Sequence, residues 1–450
     1  MSVIQRTFLR FSLVLLLSTL FFGILSSWAF LFPEVYNNIL PFHQLRPIHV
    51  SAALFWIITG AASCVFCYKN ELWQYSRAEE GLGHFFMVLW MATIVIAFIN
   101  YSFDNYGGGT YWELPPYLNI PLLAGWMCFI FAYFKPVTRG MPVYAWMWGT
   151  GILFFLITFL ERKLGQIIWL REGVLNEFNV QWKATGLMIG AWNQMLYGIC
   201  FFLLEKISRN RGTAKSRKAF LFYFLGLFNL VFSLGYHIYD AGGTAWVRYI
   251  IYIGNMAEWL FLIGVLRNFR AGISERMKLK YAVSYRFIIS AEFWVVVNLL
   301  LALLMSVPAI NYYINSTHVT VALVMGSTIG INSLILLACI SYMLRVDEQS
   351  VVLQKTVRAA IRLNNISLFF FLTALITAGV LTDFLSDVQP GSGFSIIWKP
   401  AFPFLLFFAV AGFGILAALG TIVMIYMGLR AAPELVEAHP KDKLLYTTQP

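Results

Sequence analysis

The amino-acid sequence predicts an all-α integral membrane protein in which about twelve transmembrane helices form one domain over residues 1–450. Three observations support this fold class: hydrophobic residues make up 60% of the chain, charged residues make up only 12%, and long apolar runs recur from end to end. A soluble domain carries about a quarter charged residues. Because the runs are continuously apolar and do not alternate with polar residues, they exclude a β-barrel.

Each run has about twenty residues, the length of helix that crosses the ~30 Å hydrocarbon layer of a bilayer. The first run follows Arg6 and Arg10 as in a signal peptide, but it is too long for one and lacks a small-residue cleavage site. We therefore expect it to be retained as a span. The predicted spans are 11–32, 48–68, 84–104, 117–135, 142–160, 184–204, 219–239, 247–266, 286–307, 318–344, 366–386 and 402–428.

The distribution of lysine and arginine predicts the orientation of these spans. With the N-terminus in the cytoplasm, only 7 of the 32 basic residues fall in outer segments, which leaves 25 for the inner ones. Inner loops of membrane proteins carry this excess of positive charge, so both termini are expected to be cytoplasmic, including a short tail at about 430–450. The net charge of +11 is explained by this topology and the lipid bilayer, and it requires no nucleic-acid partner.

A histidine motif, Arg46-Pro-Ile-His49, lies at the start of the second predicted span. In such a position His49 can supply an axial nitrogen to a haem, and Arg46 can balance the charge of a haem propionate. A hydrogen-bonded interface histidine is the alternative interpretation. His237 at the end of the seventh span and His318 at the start of the tenth are predicted at a similar depth, which favours a haem or metal site.

Two carboxyl groups fall within predicted spans, Glu258 in the eighth and Glu292 in the ninth. A carboxyl inside the membrane is usually protonated, paired with a cation, or part of a proton or ion path. Both residues are therefore candidates for a proton path, with a structural ion pair as the alternative. The amide side chains in the spans are better explained by hydrogen bonds between helices.

Taken together, these motifs resemble the large subunit of bacterial nitric oxide reductase, in the haem–copper oxidase superfamily. Arg46 and His49 resemble the segment that carries one axial ligand of the low-spin haem. Gly108-Gly-Thr-Tyr-Trp-Glu113-Leu-Pro115 is similar to an outer loop whose glutamate helps to hold calcium, although Gly109 stands where that loop has arginine. Gly235-Tyr-His237-Ile-Tyr239 resembles the stretch that binds the non-haem metal, and Glu258 falls at a glutamate near the catalytic pocket.

The sequence departs from this family at most of the metal and haem ligands. The resemblance implies six ligating histidines, of which only His49 and His237 are present. The other positions hold Thr185 or Gly186 on the sixth helix, Tyr236 on the seventh, and Leu323 and Met325 on the tenth. Leucine cannot ligate iron, and one imidazole does not hold a non-haem iron or copper with useful affinity. We therefore expect a degenerate dinuclear site and no reductase activity of the chain itself.

The preferred interpretation is a non-catalytic relative that carries at most one low-spin haem b for electron transfer within a respiratory complex. His49 and Met325 are the expected axial ligands, since methionine is an established haem ligand. His318 lies seven residues before Met325 and is the alternative second ligand or a propionate contact. Two other interpretations stay open: a haem-free structural subunit, and an active nitric oxide or oxygen reductase with an altered metal site.

The resemblance also implies a location and partners. We expect a multi-pass protein of the bacterial inner membrane that assembles with other membrane or periplasmic subunits, including a c-type cytochrome as electron donor. Calcium at Glu113 is a further expectation, and His237 is the one remaining candidate ligand for a non-haem metal.

Overall fold

The computed structural model of the protein describes residues 2–37, 40–72, 75–107, 113–134, 141–164, 174–210, 212–232, 245–314, 317–388 and 394–429. Within these residues the chain forms α1 (Val3–Leu31), α2 (Pro33–Tyr36), α3 (Phe42–Leu72), α4 (Arg77–Tyr101), α5 (Asn119–Tyr133), α6 (Val143–Leu164), α7 (Val174–Ser208), α8 (Arg217–Phe232), α9 (Ala245–Gly272), α10 (Glu275–Lys280), α11 (Ala282–Ser306), α12 (Pro308–Ile314), α13 (His318–Met325), α14 (Leu334–Met343), α15 (Val351–Val388) and α16 (Phe394–Gly428). A π-helical segment, Gly326–Ser333, joins α13 to α14.

The helices confirm the predicted all-α membrane fold. In the described part of the chain, nine helices are long and apolar enough to cross a membrane. The other three predicted spans coincide with α7, α8 and α9, of which α8 ends at Phe232 where the described residues stop. We refer to the continuous helical stretch His318–Met343 as the tenth span.

Several helices extend beyond the predicted spans, and three of them affect the interpretation. The second predicted span starts at residue 48, but α3 already begins at Phe42 and contains Pro47. A proline inside a membrane helix is tolerated where neighbouring helices satisfy the freed backbone group. Residues 174–183, predicted to be an outer segment, belong to α7, and the rest of that segment up to 173 lies outside the described residues. With 38 residues, α15 is about 57 Å long and extends beyond the bilayer.

Aromatic rings fill the space between α3, α4, α5 and α6. Phe66 of α3 lies 4.7 Å, between ring centroids, from Phe129 of α5, and Phe86 of α4 lies 4.8 Å from the same ring. Trp126 of α5 packs 4.2 Å from Phe155 of α6. Lipid tails are as apolar as these side chains, so close packing between helices stabilises the bundle.

Both ends of the described chain lie at the same end of the bundle. The Arg10 Nη2 on α1 donates a hydrogen bond to the carbonyl of Leu429, just beyond α16, at 3.5 Å. The first and last membrane helices therefore pack against each other and close the bundle. The start of α4 lies at the same end, as shown by the distance of 3.3 Å between the Ser2 hydroxyl and His84 Nε2.

The second and tenth spans run parallel through the centre of the bundle. The indole of Trp56 on α3 donates to the Ser333 hydroxyl at 2.9 Å. Further along both helices, the Tyr68 hydroxyl donates to the Cys339 carbonyl at 3.1 Å. Because residue numbers rise together along the two helices, these contacts fix the relative depth of their side chains.

Candidate functional site

His49 lies on the eighth residue of α3, two turns inside the helix, so the sequence-based expectation that it opens the span is wrong. Its Nδ1 is 2.9 Å from the backbone carbonyl of Thr19 on α1. A carbonyl oxygen only accepts hydrogen bonds, so Nδ1 must carry the proton and Nε2 keeps its lone pair. Histidines that bind metals are oriented by a hydrogen bond of this kind from the second ring nitrogen.

Gly23 on α1 allows this close approach of the imidazole. A Cβ at this position would stand 2.8 Å from His49 Cε1 and 2.9 Å from Nδ1, which is closer than van der Waals contact allows. The ring therefore lies against the bare backbone of α1, and its orientation is fixed by Thr19 and Gly23 together. Sequence reasoning missed both residues, because one contributes a main-chain oxygen and the other contributes the absence of a side chain.

Met325 lies at about the same depth in the bundle as His49. Trp56 and Ser333 are in contact, which gives a reference level on the two parallel helices. His49 lies seven residues before Trp56 on α3, and Met325 lies eight residues before Ser333 on the tenth span. Met325 is half-buried and is the last residue of α13, directly before the π-helical segment. Wide π turns interrupt α-helices often at functional sites. An imidazole nitrogen and a thioether therefore occur at one level on two central helices.

His318 lies nearer the end of the bundle than His49 and Met325. It is the first residue of α13, and the N-cap residue Thr317 accepts a hydrogen bond from Val319 N. The His318 ring is 6.3 Å from the ring of Phe30, which in turn lies 5.6 Å from Phe42 at the start of α3. Seven residues of helix separate His318 from Met325, which is about 10 Å. His49 and His318 therefore lie at different depths in the bundle, whereas the sequence predicted a similar depth for them.

Arg46 and Glu113 form an ion pair with each other. The Arg46 Nη1 donates to Glu113 Oε1 at 3.3 Å, with side-chain exposures of 43% and 15%. This pair links α3 to the segment before α5, and the Gln44 amide adds a second link by donating to Asp104, just after α4, at 2.8 Å. Sequence reasoning identified both charged residues but gave them different partners, a haem propionate for Arg46 and calcium for Glu113.

A polar cluster lies where α7, α8 and α9 meet. A Cβ at Gly226 of α8 would stand 3.0 Å from Glu258 Oε1 and would collide with the Gln194 amide, so both side chains converge on this glycine. The Gln194 Oε1 is buried and has no hydrogen-bond partner among the described residues. His237, the candidate non-haem metal ligand, lies outside the described residues, as does Tyr236. The structure therefore describes one carboxyl group of this region but not the histidine.

Glu292 on α11 is buried and faces a cation from α9. Its Oε2 is 3.7 Å from Arg270 Nη1, and its side chain is only 9% exposed. This geometry corresponds to the structural ion pair that the sequence left as the alternative to a proton path. Over the described ranges, with residues 233–244 and the other gaps set aside, no three His, Cys, Asp or Glu side chains are close enough to hold a metal ion.

This bundle, in which an imidazole of the second span is oriented by the first span, defines a multi-span helical membrane protein. The chain belongs to the family described as cytochrome c and quinol oxidase polypeptide I, which matches residues 3–414. The fold is similar to that of a haem–copper terminal oxidase dimer solved by cryo-EM, with a TM-score of 0.69 and 13% sequence identity. That match covers 96% of this chain and 86% of the other. No curated protein matches the chain by sequence.

Proposed function

We propose that this chain is a non-catalytic, nitric oxide reductase-like relative that holds a single low-spin haem b and passes electrons within a respiratory complex. His49 Nε2 and the Met325 thioether are the proposed axial ligands. The observation that carries the proposal is the 2.9 Å contact between His49 Nδ1 and the Thr19 carbonyl, which leaves Nε2 as the free donor atom. The common depth of His49 and Met325 supports the pairing.

His49 and Met325 determine the electron-transfer properties of the proposed site. Haem b held by His49 and Met325 would supply reversible one-electron transfer. Methionine as the second ligand raises the reduction potential relative to a second histidine. The hydrogen bond from His49 to Thr19 fixes one tautomer and one ring orientation, with Nε2 left to bind the metal.

Arg46 is proposed to balance a haem propionate. Its ion pair with Glu113 leaves the Arg46 side chain 43% exposed, and an ion pair exposed to this extent contributes about 0–1 kcal/mol. Exchange of the Glu113 carboxylate for a propionate carboxylate therefore costs little. His318, about two turns nearer the surface, is proposed as a second propionate contact.

The substitutions on the tenth span support a non-catalytic role. Leu323 stands at the position where the family resemblance implies the high-spin haem ligand, and a leucine side chain has no donor atom. Its backbone carbonyl accepts a hydrogen bond from Asn298 Nδ2 of α11 at 3.2 Å, which ties this part of the helix to its neighbour. Together with Tyr236, and with Thr185 or Gly186, in place of histidines, Leu323 favours electron transfer over gas reduction.

The proposed setting is the bacterial inner membrane with both termini in the cytoplasm. The hydrogen bond between Arg10 and Leu429 supports a location of both ends of the described chain on one side of the membrane, and the charge distribution of the sequence favours the inner side. The proposed haem then lies near the periplasmic face, within reach of a c-type cytochrome or another periplasmic subunit.

A haem-free structural subunit is the second candidate function. The observation that favours it is the direct pairing of Arg46 with Glu113, because both groups are satisfied without a propionate or a calcium ion. Aromatic contacts at the same end, such as Phe30 with Trp398 at 5.2 Å between ring centroids, give this region a packed surface of its own.

The pyridine haemochrome spectrum of purified protein separates these functions. We expect haem b in the wild-type protein, with loss in Met325→Ala and retention in His318→Ala. Loss in His318→Ala with retention in Met325→Ala would show that the second ligand is wrongly assigned. A wild-type protein that is folded but contains no haem would favour the structural subunit, and two haems per chain would favour an active reductase.

A further inference from the structure

A small cleft opens at the end of the bundle where the described chain begins and ends. Its walls are two arginines of α1, Arg6 and Arg10, and leucines from α1, the end of the tenth span and the end of α16. The leucines are Leu9, Leu13, Leu344 and Leu429. The enclosed volume is about 10 Å³, room for about one water molecule, so the cleft is a shallow surface feature and does not enclose a ligand.

The two arginines leave hydrogen-bond donors without acceptors. The Nε of Arg6 is buried and has no hydrogen-bond partner among the described residues. The exposed Arg10 donates to the Leu429 carbonyl at 3.5 Å. Like charges at i and i+4 on a helix repel each other, and a buried donor without an acceptor is costly. An anion between the guanidinium groups would remove both penalties.

The protein's own carboxylate near this cleft is already engaged elsewhere. Asp347 follows the tenth span, and its Oδ1 accepts from Val283 N at 2.6 Å while its Oδ2 accepts from the Ser284 hydroxyl at 2.7 Å. The Tyr426 hydroxyl, a further group in the cleft wall, is hydrogen-bonded to Ser341. Among the described residues, these two groups are therefore engaged with partners other than Arg6 and Arg10.

We infer that this cleft binds the phosphate group of an anionic phospholipid. Guanidinium groups bind phosphate oxygens with paired hydrogen bonds, and basic pockets between transmembrane helices are typical lipid-headgroup sites. The arginines lie in the first two turns of α1, at the depth where a helix enters the bilayer. The leucine walls suit the first methylenes of the acyl chains, and the open, shallow shape lets a phosphate lie across the two guanidinium groups while the tails stay in the bilayer.

The experiment measures lipid retention by native mass spectrometry of the protein released from nanodiscs that contain equal amounts of phosphatidylglycerol and phosphatidylcholine. We expect phosphatidylglycerol to be retained by the wild-type protein, and about tenfold weaker retention in Arg10→Gln. Arg6→Lys keeps the charge but removes the buried Nε–H, so it tests the orphaned donor. Arg77→Gln is the matched control, because α4 begins at the same end of the bundle and Arg77 does not line the cleft.

Thermal stability in detergent gives the second readout and separates a lipid from free phosphate. We expect added phosphatidylglycerol to raise the melting temperature of the wild-type protein and of Arg77→Gln, but not of Arg10→Gln. Inorganic phosphate at the same concentration is expected to have a much smaller effect. Equal retention and equal stabilisation in all variants would overturn the inference, and stabilisation by inorganic phosphate alone would replace the lipid by a soluble anion. Arg10 is exposed, so its substitution is expected to leave the fold intact.

Discussion

Replacement of Gly23 by alanine probes the packing that orients His49. The new Cβ would stand 2.8 Å from His49 Cε1, whereas ordinary contact begins near 3.4 Å, so the ring must move by about 0.6 Å. A shift of this size lengthens the 2.9 Å hydrogen bond to Thr19 to the limit of such bonds. Overpacking of a tight interface destabilises the folded state by about 1–3 kcal/mol. The higher helix propensity of alanine offsets about 1 kcal/mol of this loss.

The expected result is a lower melting temperature and, if the haem proposal is right, about tenfold weaker haem retention, since 1.4 kcal/mol is about a factor of ten. Haem retention can be measured as transfer to an apo-globin acceptor, and melting by intrinsic tryptophan fluorescence. Gly420→Ala is the control, because its Cβ would meet nothing closer than Leu17 Cδ1 at 3.9 Å. Equal melting temperatures and equal haem retention in the two variants would refute the packing argument.

Three other predictions concern charged groups. In a double-mutant cycle, Arg46→Gln and Glu113→Gln are each expected to lower the free energy of unfolding by less than about 1 kcal/mol, and the double variant by no more than either alone. Additive losses in thermal unfolding would show that the two side chains do not interact. Burial raises the pKa of Asp347 above its ordinary value, although hydrogen bonds from α11 oppose this. The folded state therefore binds the proton more tightly than the unfolded state does. The contribution of Asp347 to stability is greatest below its pKa in the unfolded chain and is lost as the pH rises through its pKa in the folded protein. A melting profile between about pH 3 and 6 should therefore lose this component in Asp347→Asn, and an unchanged profile would contradict the assignment. Removal of the cation in Arg270→Gln is expected to destabilise the protein more than Glu292→Gln, because only the former leaves a buried carboxylate unpaired; the reverse order of melting temperatures would exclude the ion pair.

The helical membrane fold could be predicted because it depends on a property that a single sequence displays directly. Continuous apolar runs of about twenty residues have few alternatives to a transmembrane helix. Boundaries were harder, since Pro47 and Arg46 look like the end of a loop although α3 begins at Phe42. The neighbouring helices that make a proline acceptable there are a property of the folded bundle.

The candidate site was predictable only in part. His49 and Met325 could be named from the sequence, but their common depth depends on the contact between Trp56 and Ser333, which lie 277 residues apart. Thr19 could not have been found, because its contribution is a backbone carbonyl that any residue provides. Side-chain chemistry is visible in a sequence, whereas the register between helices and main-chain contacts are not.

The pairing of Arg46 with Glu113 shows a different limit. Both residues carry charges near the membrane surface, and a family resemblance assigned each of them to a ligand. In the folded chain they lie 3.3 Å apart and satisfy each other. Charge complementarity between segments 67 residues apart requires knowledge of which loop returns to which helix.

The central claim, a single low-spin haem b on His49, is tested most directly by the ratio of haem to protein. Pyridine haemochrome analysis of the purified wild-type protein should give one haem b per chain, with none in a folded His49→Ala variant and one in His237→Ala. Retention of the haem in His49→Ala, or a wild-type ratio of zero or two, would contradict the claim.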